Sequence, residues 1–266
     1  MLKLDSVTLV CVETRENQLA ALAVRDCLAV AEFGDVLILT NDPLPYHRAT
    51  EHKHCENPNF RVHKVEDGEG KISWSRSWWY DVPPLLRTSH TLNIQWDSWI
   101  WKPELWSDEF LKYAYIGAPW WYKDGKNVGN GGFSLVSTAL KRYLRANRHK
   151  FPCNTAVDDD LLCRKYRPAL EAEGFVWAPE DVAHKFAFEC CRPNPTSEHF
   201  GFHAAPNFVE VLDEKRLLER ARLMAKSPYI TKNDYMWKAF LQKAPWILKE
   251  LEPPLLMEAQ LRYVKT

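Results

Sequence analysis

The sequence has no long apolar run, no CxxC pair, no net charge and little glycine. No stretch approaches the roughly 18 apolar residues of a membrane-spanning helix, so we do not expect the chain to cross a bilayer. Its 35 Lys and Arg balance 35 Asp and Glu, which argues against a nucleic-acid partner held by overall charge. The seven cysteines are odd in number, so a cytoplasmic protein with free thiols fits best.

Two residue types are concentrated in one part of the chain. Nine of the 12 tryptophans lie between Trp74 and Trp121, and four of the 10 glycines lie between Gly125 and Gly132. The 266 residues are 46% apolar, which is enough for a large buried core. We expect most tryptophans to be core residues, with Trp120 and Trp121 the first candidates for a ligand pocket because the glycine loop follows them.

The apolar pattern predicts an α/β protein with a helical C-terminal part. Residues 6–12 form a predicted strand, 17–33 a helix that ends at Gly34, and 35–39 a parallel strand, which together make a βαβ unit. Further strands are predicted at residues 60–64, 91–95, 115–118, 132–136 and 175–178. Further helices are predicted at residues 72–87, where Pro83 and Pro84 break the helix, and at residues 138–147, 157–166, 209–226 and 232–242.

Polar side chains follow three of the predicted strands, where ligands bind in open α/β sheets. Thr14, Arg15 and Asn41 follow the first two strands and suit a base or ribose, although a helix start and an Asx turn explain them equally simply. Asp97 ends the fourth strand, where a carboxylate either binds a divalent metal or caps the following turn.

Three later motifs have a functional and a structural interpretation. The glycine loop around Gly131 and Gly132 permits close backbone approach to a ligand, and a tight hairpin is its structural alternative. The acids at 158–160 either stabilise a helix start or include a general base. His203, in the segment His-Phe-Gly-Phe-His, is either a buried core histidine or a ligand.

The ordered segments QWD, GNGGFSL and FGFH resemble a bacterial and fungal family of GT-A-type glycosyltransferases catalogued as a domain of unknown function. The resemblance runs from about Val7 to about His203. It implies a GT-A, Rossmann-like mixed sheet flanked by helices over residues 1–208, with a helical extension, 209–266, packed on it.

The resemblance also implies an activity, namely transfer of a sugar from a nucleoside-diphosphate donor to an acceptor hydroxyl. The acceptor would be a saccharide or a glycolipid, in glycan or surface-polysaccharide assembly. Such an enzyme would act in the cytoplasm, and the inner face of the membrane is a second location, reached through peripheral contact.

Site residues are carried over by position. Asp97 and His203 match a divalent-metal site for Mg²⁺ or Mn²⁺, and Asp159, with Asp158 as its alternative, matches the catalytic base. The donor-binding residues implied are Thr14, Arg15, Asn41, Gln95, Trp96, Asn130, Gly131 and Gly132. A full metal motif reads Asp-x-Asp, whereas Gln95 and Trp99 flank Asp97 at two residues, so a metal-independent mechanism stays open.

Three other functions are weighed against a transferase. A sugar nucleotidyltransferase needs a glycine-rich loop after its first strand, and residues 12–20 contain no glycine. A noncatalytic protein that binds carbohydrate or nucleotide sugar would use the tryptophans without an acid pair. A glycoside hydrolase would need two carboxylates beside the scissile bond, a role that Asp97 and Asp159 fit by residue type.

Overall fold

The structure is a computed structural model that describes residues 1–50, 59–65, 75–154, 157–189, 198–232 and 234–251. These residues form two compact units, Met1–His203 and Ala204–Thr266. Within the described ranges, the helices are all too short or too polar to span a bilayer.

A six-stranded mixed sheet forms the centre of the first unit, in the order β3-β2-β1-β4-β7-β6. The strands are β1 (Leu2–Glu13), β2 (Ala31–Thr40), β3 (Phe60–Lys64), β4 (His90–Ile94), β6 (Tyr115–Gly117) and β7 (Phe133–Ser137). Strand β1 pairs in parallel with β2 and with β4, and β2 pairs in parallel with β3. Strand β7 runs antiparallel to both β4 and β6. The central strands are buried because they are rich in Val, Leu and Ile, which is typical of a sheet covered on both faces.

Helices and helical turns connect these strands. They are α1 (Asn17–Val30), α2 (Leu44–Thr50), α3 (Thr138–Ala146), α4 (Asp158–Asp160), α5 (Arg167–Ala172) and α6 (Glu180–Phe186), with π-helical turns at Ser77–Asp81 and Leu161–Tyr166. Residues of α1 that recur at helical spacing are buried, including Ala20, Val24 and Cys27. The predicted α/β fold, with a mixed sheet flanked by helices and with C-terminal helices, is confirmed.

A second sheet of three short strands was not predicted. Its order is β5-β9-β8, with β5 (Trp99–Ile100), β8 (Ala187–Phe188) and β9 (Gly201–Phe202). Each strand has two residues, too few for an alternating pattern to be recognised in the sequence. This sheet determines where His203 lies, because His203 directly follows β9.

The predicted helix end at Gly34 is wrong. Helix α1 ends at Val30, and Gly34 lies inside β2. A Cβ at Gly34 would lie 1.9 Å from the backbone oxygen of Asp5, at the point where the pairing of β1 and β2 shifts register. Glycine is therefore required at this position by a close approach of two strands rather than by a helix end.

Other predicted boundaries also differ. Residues 175–178 supply an isolated bridge between Trp177 and Tyr115 instead of a strand. The predicted helix 72–87 contains a π-helical turn, Ser77–Asp81, and a 3₁₀ turn, Pro83–Leu85, because its prolines interrupt the helical hydrogen bonds. Residues 72–74 of this prediction lie outside the described residues.

The second unit is helical. Its helices are α7 (Phe208–Val211), α8 (Glu214–Lys226), α9 (Pro228–Thr231), α10 (Asp234–Lys243) and α11 (Ile247–Glu250). The predicted helix 209–226 is divided because Asp213 caps α8, where its carboxylate accepts a hydrogen bond from the backbone N–H of Arg216 at 2.9 Å. The predicted division of the chain at 208/209 stays a prediction.

We expect Gly34→Ala to lower the free energy of unfolding by about 1–3 kcal/mol, because the new methyl group would overlap the backbone of β1. Urea unfolding measures the change. Glu32→Ala, an exposed position on the same strand, is the control and should change stability by at most about 0.5 kcal/mol. An unchanged urea midpoint in Gly34→Ala would contradict the close approach.

Candidate functional site

The topology of the main sheet brings several chain segments to one edge. β1, β2 and β4 are parallel, so their carboxyl ends lie at the same edge. β7 runs in the opposite direction and pairs its first residue, Phe133, with Ile94, the last residue of β4. The glycine loop that precedes β7 therefore lies beside the segment that follows β4.

Asp97 lies in the turn after β4, and its side chain is only 1% exposed. Its Oδ1 is 3.4 Å from His203 Nε2, which is within ion-pair distance but longer than a normal N–H···O hydrogen bond. Among the described residues this oxygen has no hydrogen-bond partner. Its neighbour is the His203 ring at ion-pair distance, so a cation or donor at a shorter distance would stabilise this buried oxygen further.

Ser98 holds the turn that contains Asp97 against the glycine loop. Its hydroxyl accepts a hydrogen bond from the backbone N–H of Gln95 at 2.8 Å and donates one to the carbonyl of Gly132 at 2.6 Å. Gln95 and the buried Trp96, both predicted to bind the donor, belong to this turn.

His203 lies between two carboxylates. Its Nε2 faces Asp97, and its Nδ1 is 3.0 Å from Glu189 Oε1. Burial by itself lowers the pKa of His203, but the charges of Asp97 and Glu189, with the hydrogen bond to Glu189, outweigh burial and hold this pKa well above its ordinary value.

The glycine loop packs directly against this histidine. A Cβ at Gly132 would lie 2.2 Å from His203 Nε2, so only glycine leaves room for the ring. The preceding Asn130 has a φ of 43°, in the left-handed region, and its backbone carbonyl accepts a hydrogen bond from the Tyr115 hydroxyl at 3.2 Å. The side-chain Nδ2 of Asn130 donates to Glu189 Oε2 at 2.6 Å.

Asp159 contacts the same loop from the start of α4. Its Oδ2 accepts a hydrogen bond from the backbone N–H of Gly131 at 3.0 Å, and its Oδ1 accepts one from the N–H of Asp160 at 2.9 Å. Burial raises the pKa of Asp159, and the negative charge of Glu189 raises it further. The two backbone hydrogen bonds and the charge of His203 act in the opposite direction and lower it. The electrostatic influence of Glu189 and His203 places Asp159 in their cluster.

Asp158 has different surroundings, although it is the neighbouring residue. Its carboxylate is buried and accepts a hydrogen bond from the Ser75 hydroxyl at 3.2 Å. Burial, together with the charge of Asp159, raises its pKa to about 7. The buried ammonium group of Lys141 interacts electrostatically with Asp158 and lies 3.2 Å from the centre of the Trp78 ring.

Thr14, Arg15 and Asn41 lie after β1 and β2. Asn41 Nδ2 donates to the carbonyl of Thr14 at 2.9 Å, and Asn17 Nδ2 donates to Asn41 Oδ1 at 2.7 Å, which joins the two strand ends. The buried Glu13 accepts hydrogen bonds from the N–H groups of Thr14 and Arg15 at 2.9 and 2.8 Å. The side chain of Arg15 is exposed.

The two tryptophans named for the pocket differ in burial. Trp120 is 8% exposed, and its ring would contact a Cβ at Gly129 at 2.0 Å, so it packs beneath the glycine loop. Trp121 is 62% exposed and lies 5.4 Å, centroid to centroid, from Tyr122. Of the pair, Trp121 is the one that a sugar ring could reach.

The sequence did not identify Glu189 as a site residue. The only sequence feature that could have pointed to Glu189 is its position directly after the short apolar segment Phe186–Phe188. Strand β8 is too short to be predicted, and the residues that follow Glu189 gave no motif. Glu189 is assigned to the site only by the pairing of β8 with β9.

We tested whether these residues fit a divalent cation. The described ranges contain no group of three or more His, Cys, Asp or Glu side chains arranged to hold a metal ion. Two protein ligands, Asp97 Oδ1 and His203 Nε2, fit such an ion, whose remaining positions would be filled by water or by oxygens of a bound diphosphate. The carboxylate of Glu189 on the other ring nitrogen is the usual support of a metal-binding histidine.

Residues 71–203 match a family described as "Protein of unknown function (DUF5672)". A search of curated proteins gave no match to this sequence.

Several solved structures are similar to this one. An active-site mutant of LgtC has 12% identity, covering 80% of this chain and 95% of LgtC, at a TM-score of 0.49. The apo-form glycosyltransferase GlyE of Streptococcus pneumoniae TIGR4 has 10% identity over 74% of this chain and 54% of its own, also at 0.49. TarS of S. aureus has 13% identity over 97% and 87%, at 0.46. At these values the three structures do not determine the reaction of this chain.

The environment of Asp158 predicts a pH-dependent stability. In the folded protein the pKa of Asp158 is about 7, above its ordinary value of 3.8. The protonated side chain therefore stabilises the fold fully below pH 3.8, and this stabilisation is lost as the pH rises through about 7. We therefore expect the stability of Asp158→Asn, relative to that of the wild type, to increase when the pH is raised from 5 to 7.5. The increase should be about 1.4 kcal/mol for each tenfold difference in proton affinity between the folded and unfolded states.

Urea unfolding at both pH values measures this difference. Asp160→Asn is the control, since the Asp160 side chain is 49% exposed and, within the described part of the chain, forms only a surface ion pair with Arg164. An Asp158→Asn variant whose stability relative to the wild type is equal at the two pH values would contradict the assignment.

Proposed function

The chain belongs to the DUF5672 family, and from the geometry of its acid–histidine cluster we propose that it is a glycosyltransferase. It would transfer a sugar from a nucleoside-diphosphate donor to an acceptor hydroxyl. The observation that supports this most strongly is one set of contacts at the edge of the sheet. There a buried, unpartnered Asp97 oxygen, His203, the glycine loop and Asp159 are contiguous.

The donor diphosphate is proposed to bind beside Asp97 and His203. Both residues border the loop at Gly132, where the absence of a side chain allows a close approach. Thr14, Arg15 and Asn41 are proposed to contact the nucleoside from the ends of β1 and β2 at the same edge. Gln95, Trp96, Asn130 and Gly131 complete the proposed donor site.

A divalent cation, Mg²⁺ or Mn²⁺, would be held by Asp97 and His203. When bound, it would neutralise the negative charge that develops on the leaving diphosphate. The chain's own residues orient the donor and exclude water. His203 keeps its position because Glu189 holds Nδ1 and Gly132 packs against the ring.

Asp159 is the proposed general base. An acceptor hydroxyl must lose its proton as its oxygen attacks the anomeric carbon, and the proton would pass to an Asp159 carboxylate oxygen. The N–H of Gly131 fixes the direction of that carboxylate. Its raised pKa makes it a stronger base than an exposed aspartate. Asp158, held by Ser75, is better suited to support the helix start.

The acceptor is proposed to be a saccharide or glycolipid, in glycan or surface-polysaccharide assembly. The exposed ring of Trp121 supports this choice, since an aromatic face stacks well on a sugar ring. A cytoplasmic location is supported by the free thiols of Cys11, Cys27, Cys153 and Cys163. Exposed basic side chains on α3, such as Arg142 and Arg145, support contact with the inner face of the membrane.

A panel of nucleoside-diphosphate sugars, incubated with Mg²⁺ or Mn²⁺, tests the function. Release of free nucleoside diphosphate is the readout, because slow donor hydrolysis occurs without the acceptor. Turnover of at least one donor supports the transferase. Binding of a donor, seen as a thermal shift, without any release would favour a noncatalytic nucleotide-sugar-binding protein.

We expect Asp159→Asn to reduce turnover by about 10²–10⁴, the usual contribution of general-base assistance, with little loss of donor binding. Initial rates and a donor titration by calorimetry separate the two effects. Asp160→Asn should retain wild-type turnover. A fully active Asp159→Asn variant would reject Asp159 as the base.

We expect Asp97→Asn to weaken Mn²⁺ binding by at least about 10- to 100-fold, because even outer ligands of metal sites contribute that much. Electron paramagnetic resonance (EPR) of free Mn²⁺ measures the affinity. Asp181→Asn, an exposed aspartate on α6, is the control. Equal Mn²⁺ affinity in Asp97→Asn and the wild type would remove Asp97 from the cation site.

A further inference from the structure

We propose that Glu189 is a positioning residue that orients two neighbours, His203 and Asn130, toward one bound cation. The proposal rests on the cation site described under the proposed function and adds to it a residue that determines how the site's ligands are presented. It is based on two hydrogen bonds that the Glu189 carboxylate accepts, and on the side-chain oxygen of Asn130, which has no hydrogen-bond partner among the described residues.

The local fold explains why Glu189 lies beside His203. Glu189 directly follows β8, and His203 directly follows β9, the parallel strand paired with it. The backbone N–H of His203 donates to the carbonyl of Phe188 at 2.9 Å, which extends the pairing by one residue. The two side chains therefore emerge at the same end of the small sheet.

Glu189 determines which ring nitrogen of His203 is available. An ionised carboxylate only accepts hydrogen bonds, so the contact of 3.0 Å places a hydrogen on Nδ1. The other nitrogen, Nε2, is the one beside Asp97, and a cation bound there would take the place of the proton on Nε2. Metal-binding histidines are commonly held in this way by a carboxylate on the far nitrogen.

Glu189 also determines the orientation of the Asn130 amide. Its second oxygen, Oε2, accepts a hydrogen bond of 2.6 Å from Nδ2 of Asn130, and a carboxylate cannot accept one from the amide oxygen. Oδ1 of Asn130 is consequently the free end of the amide. It is buried, since Asn130 is 3% exposed, and it has no hydrogen-bond partner among the described residues.

The Glu189 carboxylate thus orients two side chains, those of His203 and Asn130, that can donate an electron pair to a cation. In the proposed site they would join Asp97 Oδ1, which is also buried and without a hydrogen-bond partner in the described ranges, so that two oxygens and one nitrogen bind the cation. Amide and carboxylate oxygens suit hard divalent cations, and imidazole adds affinity for transition ions such as Mn²⁺. The site therefore has a candidate third protein ligand, Asn130, that is neither an acid nor a histidine.

Glu189→Gln and Glu189→Asp test the proposal together. In the wild type two different oxygens accept, one from His203 and one from Asn130; a glutamine has one oxygen and an NH₂ group, so it cannot hold both partners in these positions. An aspartate keeps the negative charge but is one methylene shorter and cannot reach both partners. We expect each variant to bind Mn²⁺ alone about 10- to 100-fold more weakly than the wild type, measured by EPR of free Mn²⁺.

Glu180→Gln is the matched control. Glu180 on α6 pairs with His184 at 3.4 Å, so this variant also removes a carboxylate–histidine contact and one negative charge, outside the cluster. It should bind Mn²⁺ as the wild type does. Thermal unfolding of all variants shows whether each is folded, and only folded variants are compared.

Two outcomes would overturn the positioning role. Wild-type Mn²⁺ affinity in Glu189→Gln would show that Glu189 does not support the site. Weak binding in Glu189→Gln together with wild-type binding in Glu189→Asp would show that only the negative charge matters. If the wild type does not bind Mn²⁺, the cation site and the role of Glu189 are both rejected.

The same samples separate this proposal from the proposed function. Weakened Mn²⁺ binding in both Glu189 variants, without release of nucleotide from any donor by the wild type, would support Glu189 and reject the transferase. Donor turnover by the wild type that persists in EDTA, without Mn²⁺ binding, would support the transferase and reject the role of Glu189.

Discussion

The antiparallel pairing of β7 with β4 is the constraint on which the rest of the site depends. If β7 ran parallel to β4, its preceding loop would lie at the opposite edge of the sheet, far from the ends of β1, β2 and β4. Because it runs antiparallel, Phe133 pairs with Ile94, and the glycine loop is placed against Asp97 and His203. The main chain at Gly131 can then donate a hydrogen bond to Asp159.

The cluster contains more acids than bases. Asp97 and Glu189 flank a single imidazole, and Asp159 is close enough for both Glu189 and His203 to influence its pKa. Three acids around one histidine make a site in which an added cation is favourable. The chain as a whole has no net charge, so long-range attraction does not bring an anionic donor to the site. Local groups must bind it.

Two adjacent acids show how environment separates residues of the same type. Asp159 accepts a backbone hydrogen bond from the glycine loop, whereas Asp158 is buried with Ser75 near Lys141. Successive helical residues point about 100° apart, so a single helix start supplies one side chain to the site and another to the interior. The sequence named both as candidate bases, and only the packing distinguishes them.

The sequence by itself determined the α/β class, the first βαβ unit, the edge of the sheet proposed to bind ligands, and Asp97, the glycine loop and Asp159 as candidates. These follow from residue periodicity and from residue types at strand ends, which are local properties. Tertiary structure alone decided that Gly34 lies inside a strand and that Glu189 contacts both His203 and Asn130. These contacts join residues 59 and 14 positions apart through two-residue strands, and such short strands leave no periodic pattern in the sequence.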